Sequence, residues 1–296
     1  QARIAPKFFY DALGSRLFAA ITELPEYYPT RTEAAIFIEH LPAIRQALDQ
    51  DFTLIDLGCG NCDKAGRLFH AGVLPARYVA VDISVDFLRD SLQHLKREHP
   101  AIDMIGVGLD FADEFQLPDD LPIERRMFFY PGSSIGNFSP PEAVRFLQRL
   151  ARRMDASGGL LIGVDLIKDS ALLDAAYDDA LGVTAAFNRN LLRHVNARLD
   201  ADFDIRDWRN VAFYNAADAR IEMYLEARRA LTAGWPEPNG QQKRPFATGE
   251  RIHTENSYKY SPEGFTALLA SAGFVDIRMW TDPNNWFALF FARPMK

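Results

Sequence analysis

The chain has 296 residues, a net charge of -7, 48% hydrophobic content and 12% aromatic content. This is enough apolar material for one large domain or two modest ones with a real core. Its basic residues are scattered rather than blocked, which disfavours nucleic acid, and no apolar run has membrane length or reads as a leader, so a small-molecule partner in the cytoplasm is expected.

In chain order, Ala5 to Arg31 is aromatic-rich, with Phe8, Phe9, Leu13, Leu17, Phe18 and Ile21 at helical spacing. Pro25 and Pro29 are expected to break the helix into a loop, and Glu33 to Gln50 reads as a second helix. From Thr53, strands are expected at 53–57, 77–82, 102–107, 126–131 and 159–165. Helices are expected at 63–71, 84–98 and 140–154, with a short one between 111 and 117. That alternation predicts a parallel sheet covered by helices on both faces.

After Asp165 the texture changes. Lys168 to Leu199 is helical with a break near Gly182, Asp200 to Phe213 reads as irregular or short strand, and Asn215 to Glu226 is mixed. Ala233 to Gly249 has no apolar period and reads as an exposed loop or hairpin tip. Ile252 to Tyr260 reads as a strand and Pro262 to Ala272 as a helix. Val275 to Thr281 and Trp286 to Ala292 read as closing strands. The expected division is discontinuous: 34–167 with 261–296 as a doubly wound α/β domain, and 1–33 with 168–260 as an α+β accessory domain.

Leu54 to Leu57 ends in Gly58-Cys59-Gly60, and a helical pattern begins at once. Only glycine lets a backbone turn so tightly and approach a ligand so closely. Tyr78 to Asp82 is a second buried strand with a carboxylate at its end. Asp63 stands where a dinucleotide fingerprint has its third glycine. The turn and the terminal acid look like motifs I and II of S-adenosylmethionine-dependent methyltransferases, with a dehydrogenase and a plain structural turn as the other readings. Cys59 and Cys62, the only cysteines, read as small half-buried structural residues of a reducing compartment. No metal is expected, since a second cysteine pair or His-x-His cluster is missing from the sequence.

The remaining candidates lie at strand ends. Asp110 and Phe111 offer an acceptor and a ring for an adenine, or a helix cap and a core side chain. Lys64, in a first helical turn that prefers acids, either reaches a cofactor carboxylate or is merely solvated. Tyr130 to Phe138 is a polar loop where a methyl acceptor would sit, and Asn137 can both donate and accept there. Tyr177 and Thr184 stand about two helical turns apart. Glu255 and Ser257 share one strand face, followed by Lys259, and suit an imidazole or simply solvent.

With these residues in view, the chain resembles the ergothioneine-pathway histidine Nα-methyltransferases over nearly its whole length. The matching strings are Pro6 to Asp11, Ile21 to Glu33, Gly132 to Asn137, Ala176 to Asn190, Arg220 to Met223 and Thr254 to Lys259. The resemblance implies a monomeric class I methyltransferase of Rossmann-like fold that converts L-histidine to hercynine with S-adenosyl-L-methionine. It implies Tyr10 and Gly132 near the α-amino group, Asn137 on amino and carboxylate groups, and Tyr27 and Tyr177 on carboxylate or ring. It implies Met223 lining the pocket, Thr184 holding a water, and Glu255 with Ser257 reading the imidazole. Cofactor contacts are implied at Gly58, Lys64, Asp82, Asp110 and Phe111. Relatives tend to have a serine where this turn has Cys59, a change that a backbone-driven turn should tolerate.

Overall fold

The computed structural model describes residues 2–111, 117–118, 121–238 and 240–295. It forms two compact units, Gln1–Tyr28 with Lys168–Ser257 and Pro29–Ile167 with Tyr258–Lys296. Among the described residues, no helix is long and apolar enough to cross a membrane.

The chain opens with β1 (Ala2–Arg3), a 3-10 turn (Pro6–Phe9) and α1 (Ala12–Thr22). Asp11 caps α1 by accepting from the Gly14 N–H at 2.7 Å. The single helix expected over 33–50 is two, α2 (Tyr28–Glu39) and α3 (Leu41–Leu48), because His40 leaves helical geometry between them. Pro42 and Pro29 each sit in a first helical turn, where the missing N–H is harmless, so Pro29 helps to start a helix instead of breaking one.

The expected alternation comes next: β2 (Thr53–Leu57), α4 (Asp63–His70), β3 (Arg77–Asp82), α5 (Val85–Glu98), β4 (Asp103–Gly108) and β5 (Arg126–Tyr130). A 3-10 turn (Ser134–Asn137), α6 (Pro140–Ala151) and β6 (Gly159–Asp165) complete this stretch. The short helix expected between 111 and 117 falls on residues outside those described. Beyond β6 stand α7 (Ser170–Tyr177), α8 (Val183–Leu199), β7 (Trp208–Asn215), β8 (Arg220–Ala227), β9 (Leu231–Glu237) and β10 (Gly240–Phe246). The chain closes with β11 (Arg251–Tyr258), α9 (Pro262–Ser271), β12 (Phe274–Thr281) and β13 (Phe287–Pro294).

In the Pro29–Ile167 unit, seven strands run in the order β12-β13-β6-β5-β2-β3-β4. The five from β6 to β4 are parallel, and β13 is antiparallel to both β6 and β12. This is the Rossmann-like class I methyltransferase arrangement. Strands β2, β5 and β6 are buried at every position, as central strands covered on both faces must be. Alternation splits their side chains between two cores: Ile55, Leu57 and Phe128 in one, Leu54, Phe129 and Leu161 in the other. Strand order reverses between β2 and β5, so the crevice for a ligand opens at their carboxyl ends.

The other unit has a four-stranded sheet in the order β1-β11-β8-β7, with α1 and α8 packed together. Its core gathers Leu192, Trp208, Leu225, Phe246 and Ile252. The Ala233 to Gly249 stretch is mostly a hairpin: β9 and β10 pair in register from Leu231↔Phe246 to Glu237↔Gly240. Its arms are largely exposed, so they need no apolar period.

Candidate active site

At the end of β2 the backbone turns through Gly58 (φ 72) and Gly60 (φ 54), both in the left-handed region that side chains disfavour. The N–H groups of Gly58 and Cys59 donate to the Val81 carbonyl at 2.8 and 3.2 Å. Asp82 pins the turn: its Oδ2 accepts from the Gly60 N–H and its Oδ1 from the Ser84 N–H, each at 2.9 Å. A carboxylate offers about four lone-pair sites, so capacity for ribose hydroxyls remains. A Cβ on Gly58 would stand 3.6 Å from the Phe111 ring, while one on Gly60 would meet nothing within 4 Å. Phe111 is itself braced edge-on by Tyr130 at 5.8 Å, with half-buried Asp110 just before it. An open backbone floor, a terminal carboxylate and a braced ring together suit an adenosyl group.

Beneath the turn, Asp56 is buried and accepts from the Tyr78 hydroxyl at 2.7 Å. Burial pushes its carboxyl up to about 7, against the Tyr78 hydrogen bond and the Lys64 charge, which pull it down. Both cysteines are buried rather than half-buried. The Cys59 thiol is raised first by its hydrogen bond with Cys62 and then by burial, so it stays a thiol and an unreactive one.

The Lys64 ammonium reaches a carboxylate of the protein itself: Nζ donates to Glu33 Oε2 at 2.6 Å. Glu33 Oε1 accepts from the Gly132 N–H at 2.7 Å, so one side chain of α2 joins helix α4 to the loop after β5. Glu33 is 1% exposed. Two glycines make room for this hub: a Cβ on Gly163 would lie 2.1 Å from Glu33 Oε1, and one on Gly132 2.6 Å from Lys64 Nζ. Sequence reasoning does not single out Glu33 as a site residue. The signal for it is Lys64, since a lysine in a helix's first turn calls for an anion nearby.

The loop is fixed at its base, where the Asp165 N–H donates to Ser133 Oγ at 2.9 Å. Lys259, expected to follow Glu255 and Ser257, instead forms a fully buried ion pair with Asp165 at 2.8 Å. Asn137 closes the 3-10 turn, half-buried, and its side-chain amide has no partner among the described residues.

In the other unit, the Tyr177 hydroxyl donates to Ser257 Oγ at 2.9 Å, and Glu255 lies two residues back along β11, also buried. Aromatic contacts lead away from this pair. Tyr27 stands 6.3 Å from Tyr177, Phe18 is 6.2 Å from Tyr27, and Tyr10 is 5.8 Å from Phe18. Met223 is buried on β8, and its carbonyl accepts from Thr254 Oγ1 at 3.0 Å, next to Glu255. Thr184 is buried in the first turn of α8, where its N–H and that of Val183 donate to Asp179 at 2.7 and 2.9 Å. Burial raises Asp179, but these bonds prevail and hold it below the usual carboxylate range. Within this unit the structure therefore links Tyr10, Tyr27, Tyr177 and Ser257. In the other it gathers Gly58, Lys64, Asp82, Phe111 and Gly132.

The family described as "Histidine-specific methyltransferase, SAM-dependent" matches residues 1–294. A histidine N-alpha-methyltransferase of Mycolicibacterium smegmatis is 42% identical over 293 residues, covering 98% of this chain and 89% of the relative. Ergothioneine biosynthesis protein 1 of Neurospora crassa is 29% identical, covering 94% of this chain and 32% of that longer protein. Among solved structures, an S-adenosylmethionine-dependent methyltransferase from Clostridium acetobutylicum superposes with a TM-score of 0.50 at 10% identity, covering 96% of this chain and 97% of that one.

Proposed function

Because the chain belongs to the S-adenosylmethionine-dependent, histidine-specific methyltransferases, we propose that it transfers three methyl groups in succession to the α-amino nitrogen of L-histidine, forming hercynine for ergothioneine synthesis. The observation that carries this reading is the loop from Gly132 to Asn137. It lies at the carboxyl end of the switch-point strand β5, anchored through Glu33 to the helix of the glycine turn, and its Asn137 amide has no partner among the described residues.

When bound, S-adenosyl-L-methionine supplies a methyl group already activated on a sulfonium. The protein's task is then alignment and exclusion of water. Gly58, Asp82, Asp110 and Phe111 would hold the adenosyl part. Lys64, already neutralised by Glu33, would add a donor for a carboxylate. Asn137 can accept from the substrate amine through its oxygen and donate to the substrate carboxylate through its nitrogen, which turns the amine lone pair toward the donor. Tyr10 would complete the amine's surroundings, and Tyr27 and Tyr177 those of the carboxylate and ring. Each transfer releases one proton from nitrogen, carried off by water. Glu255 would accept from an imidazole N–H and Ser257 would hold the other ring nitrogen, beside Met223 and Thr184. Such a pair rewards histidine over an indole, because an unmatched buried acceptor is expensive. The reaction needs neither nucleic acid nor membrane, and we place it in a monomeric cytoplasmic enzyme, where thiols such as Cys59 and Cys62 stay reduced.

Mass spectrometry with S-adenosylmethionine and a panel of histidine, tryptophan and tyrosine tests the proposal. Histidine should gain one, two and then three methyl groups while the other two stay unmodified. Preferential methylation of tryptophan or tyrosine, or no turnover at all, would overturn it.

A further inference from the structure

The carboxyl-terminal ends of α4 and α5 bring together side chains that methyl transfer does not use: His70, Glu98 and His99, with His94 one turn earlier on α5. One ligand atom from each of His70, Glu98 and His99 lies within 4.8 Å of the other two. The Glu98 carboxylate is 4.0 Å from His70 Nε2 and 3.4 Å from His94 Nε2. We propose that His70, Glu98 and His99 bind a divalent transition-metal ion of the zinc class, with His94 or water in the fourth position.

Hydrogen bonding prepares the ligands. His70 Nδ1 lies 2.7 Å from the Gly66 carbonyl. A carbonyl only accepts, so Nδ1 carries the proton and Nε2 turns its lone pair toward Glu98. An imidazole N–H held by a backbone carbonyl is the arrangement that orients metal-bound histidines. His99 Nε2 is buried with no hydrogen-bond partner among the described residues, a state a metal bond would resolve. The two imidazoles already stand together, with centroids 4.7 Å apart at 76°, and His99 is braced edge-on by Phe69 at 5.5 Å.

Electrostatics point the same way. His70 is the last residue of α4, Glu98 the last of α5 and His99 the cap of α5, so two helices turn their partially negative ends toward this spot. Two imidazoles and one carboxylate suit zinc and its neighbours, whereas magnesium and calcium prefer all-oxygen sets. Tetrahedral zinc with bonds of about 2.0–2.2 Å puts its ligand atoms about 3.4 Å apart, so the cluster must close by roughly an ångström. Glu98 is exposed, and its side chain can supply that movement while the Gly66 carbonyl holds the His70 ring. The sequence hid this site because its ligands come from two helices separated by β3.

Zinc titration of the tag-free chain, in competition with a chromophoric zinc indicator, provides the test. Wild type should take up one zinc ion per chain and melt at a higher temperature with zinc than without. His70→Ala and His99→Ala should each weaken binding about tenfold or more and abolish the zinc-dependent rise in melting temperature. The exposed Glu98→Gln variant should weaken binding in the same direction without depending on refolding of a buried ring. A Cys59→Ser/Cys62→Ser double variant should bind as wild type does. No uptake by wild type, uptake unaffected by all three ligand substitutions, or uptake lost only with the cysteine pair would each overturn the proposal. Because the readout is metal binding, the outcome does not depend on which amino acid is methylated.

Discussion

On the reading proposed above, the two units would prepare their parts of the chemistry by different means. In the Pro29–Ile167 unit the work is done by backbone: glycines at positive φ, N–H groups on Asp82 and Glu33, and two further glycines that leave room for the Glu33–Lys64 pair. In the other unit it is done by side chains, a run of aromatic contacts ending in the Tyr177–Ser257 hydroxyl pair beside Glu255. Backbone sites suit a cofactor whose shape never changes. Side-chain sites suit selection among amino acids, because exchanging one group there alters specificity without disturbing the fold.

The largest expected effect tests whether Asn137 acts on substrate rather than on the fold. Asn137→Ala should lower kcat/KM by about 2–3 kcal/mol of transition-state stabilisation, roughly 30- to 150-fold, since two substrate groups lose a partner. Its Tm should stay near wild type, because among the described residues the amide bonds to nothing else. Next, Glu255→Ala should weaken histidine binding by about 2 kcal/mol while cofactor binding, measured by calorimetry, is unchanged. Equal losses for both ligands would dissolve the division of labour between the units.

A smaller effect is expected for Gly163→Ala. The added methyl meets Glu33 Oε1 at 2.1 Å, so the hub must shift, lowering stability by about 1–3 kcal/mol in denaturant unfolding and raising the KM for the cofactor. An unchanged KM would show that Glu33 does not organise the cofactor side.

A dependence of stability on pH is expected as well. Asp56 is raised to about 7 in the folded chain against an ordinary 3.8, so its contribution to stability is full below about pH 4 and is lost as pH rises through about 7. Asp179, Glu222 and Glu226 run the other way. Burial raises Asp179 and Glu222, but hydrogen bonds outweigh it, from Thr184 and Val183 in one and from Tyr224, Asn215 and Arg220 in the other. Glu226 is lowered chiefly by Arg251 and Arg209. Their stabilisation is present at neutral pH and is lost on acidification. Asp56→Asn, which still accepts from Tyr78, should flatten the fall in Tm between about pH 4 and 7 and leave the acid-side loss intact.

Much of the methyltransferase half is legible in the sequence because its chemistry is local. The strands 53–57, 77–82 and 159–165 stand where their apolar runs put them, and the turn at Gly58 is announced by residues adjacent in sequence. Glu33 and the Asp165–Lys259 pair are not legible, since each depends on partners brought together by the sheet. The aromatic chain from Tyr10 to Tyr177 joins α1, the turn before α2 and the end of α7, and periodicity assigns such rings to packing. Only the resemblance of whole strings distinguishes them. The hairpin of β9 and β10 escapes a reading as two full strands because exposed arms carry no alternation.

The most direct measurement is carbon-13 NMR of the product formed from L-histidine and S-adenosylmethionine labelled in its methyl group. Three equivalent methyls on the α-nitrogen should give one methyl resonance, with the imidazole signals retaining their unmethylated pattern. A methyl on a ring nitrogen, or a product that stops at one α-methyl under excess donor, would contradict the account.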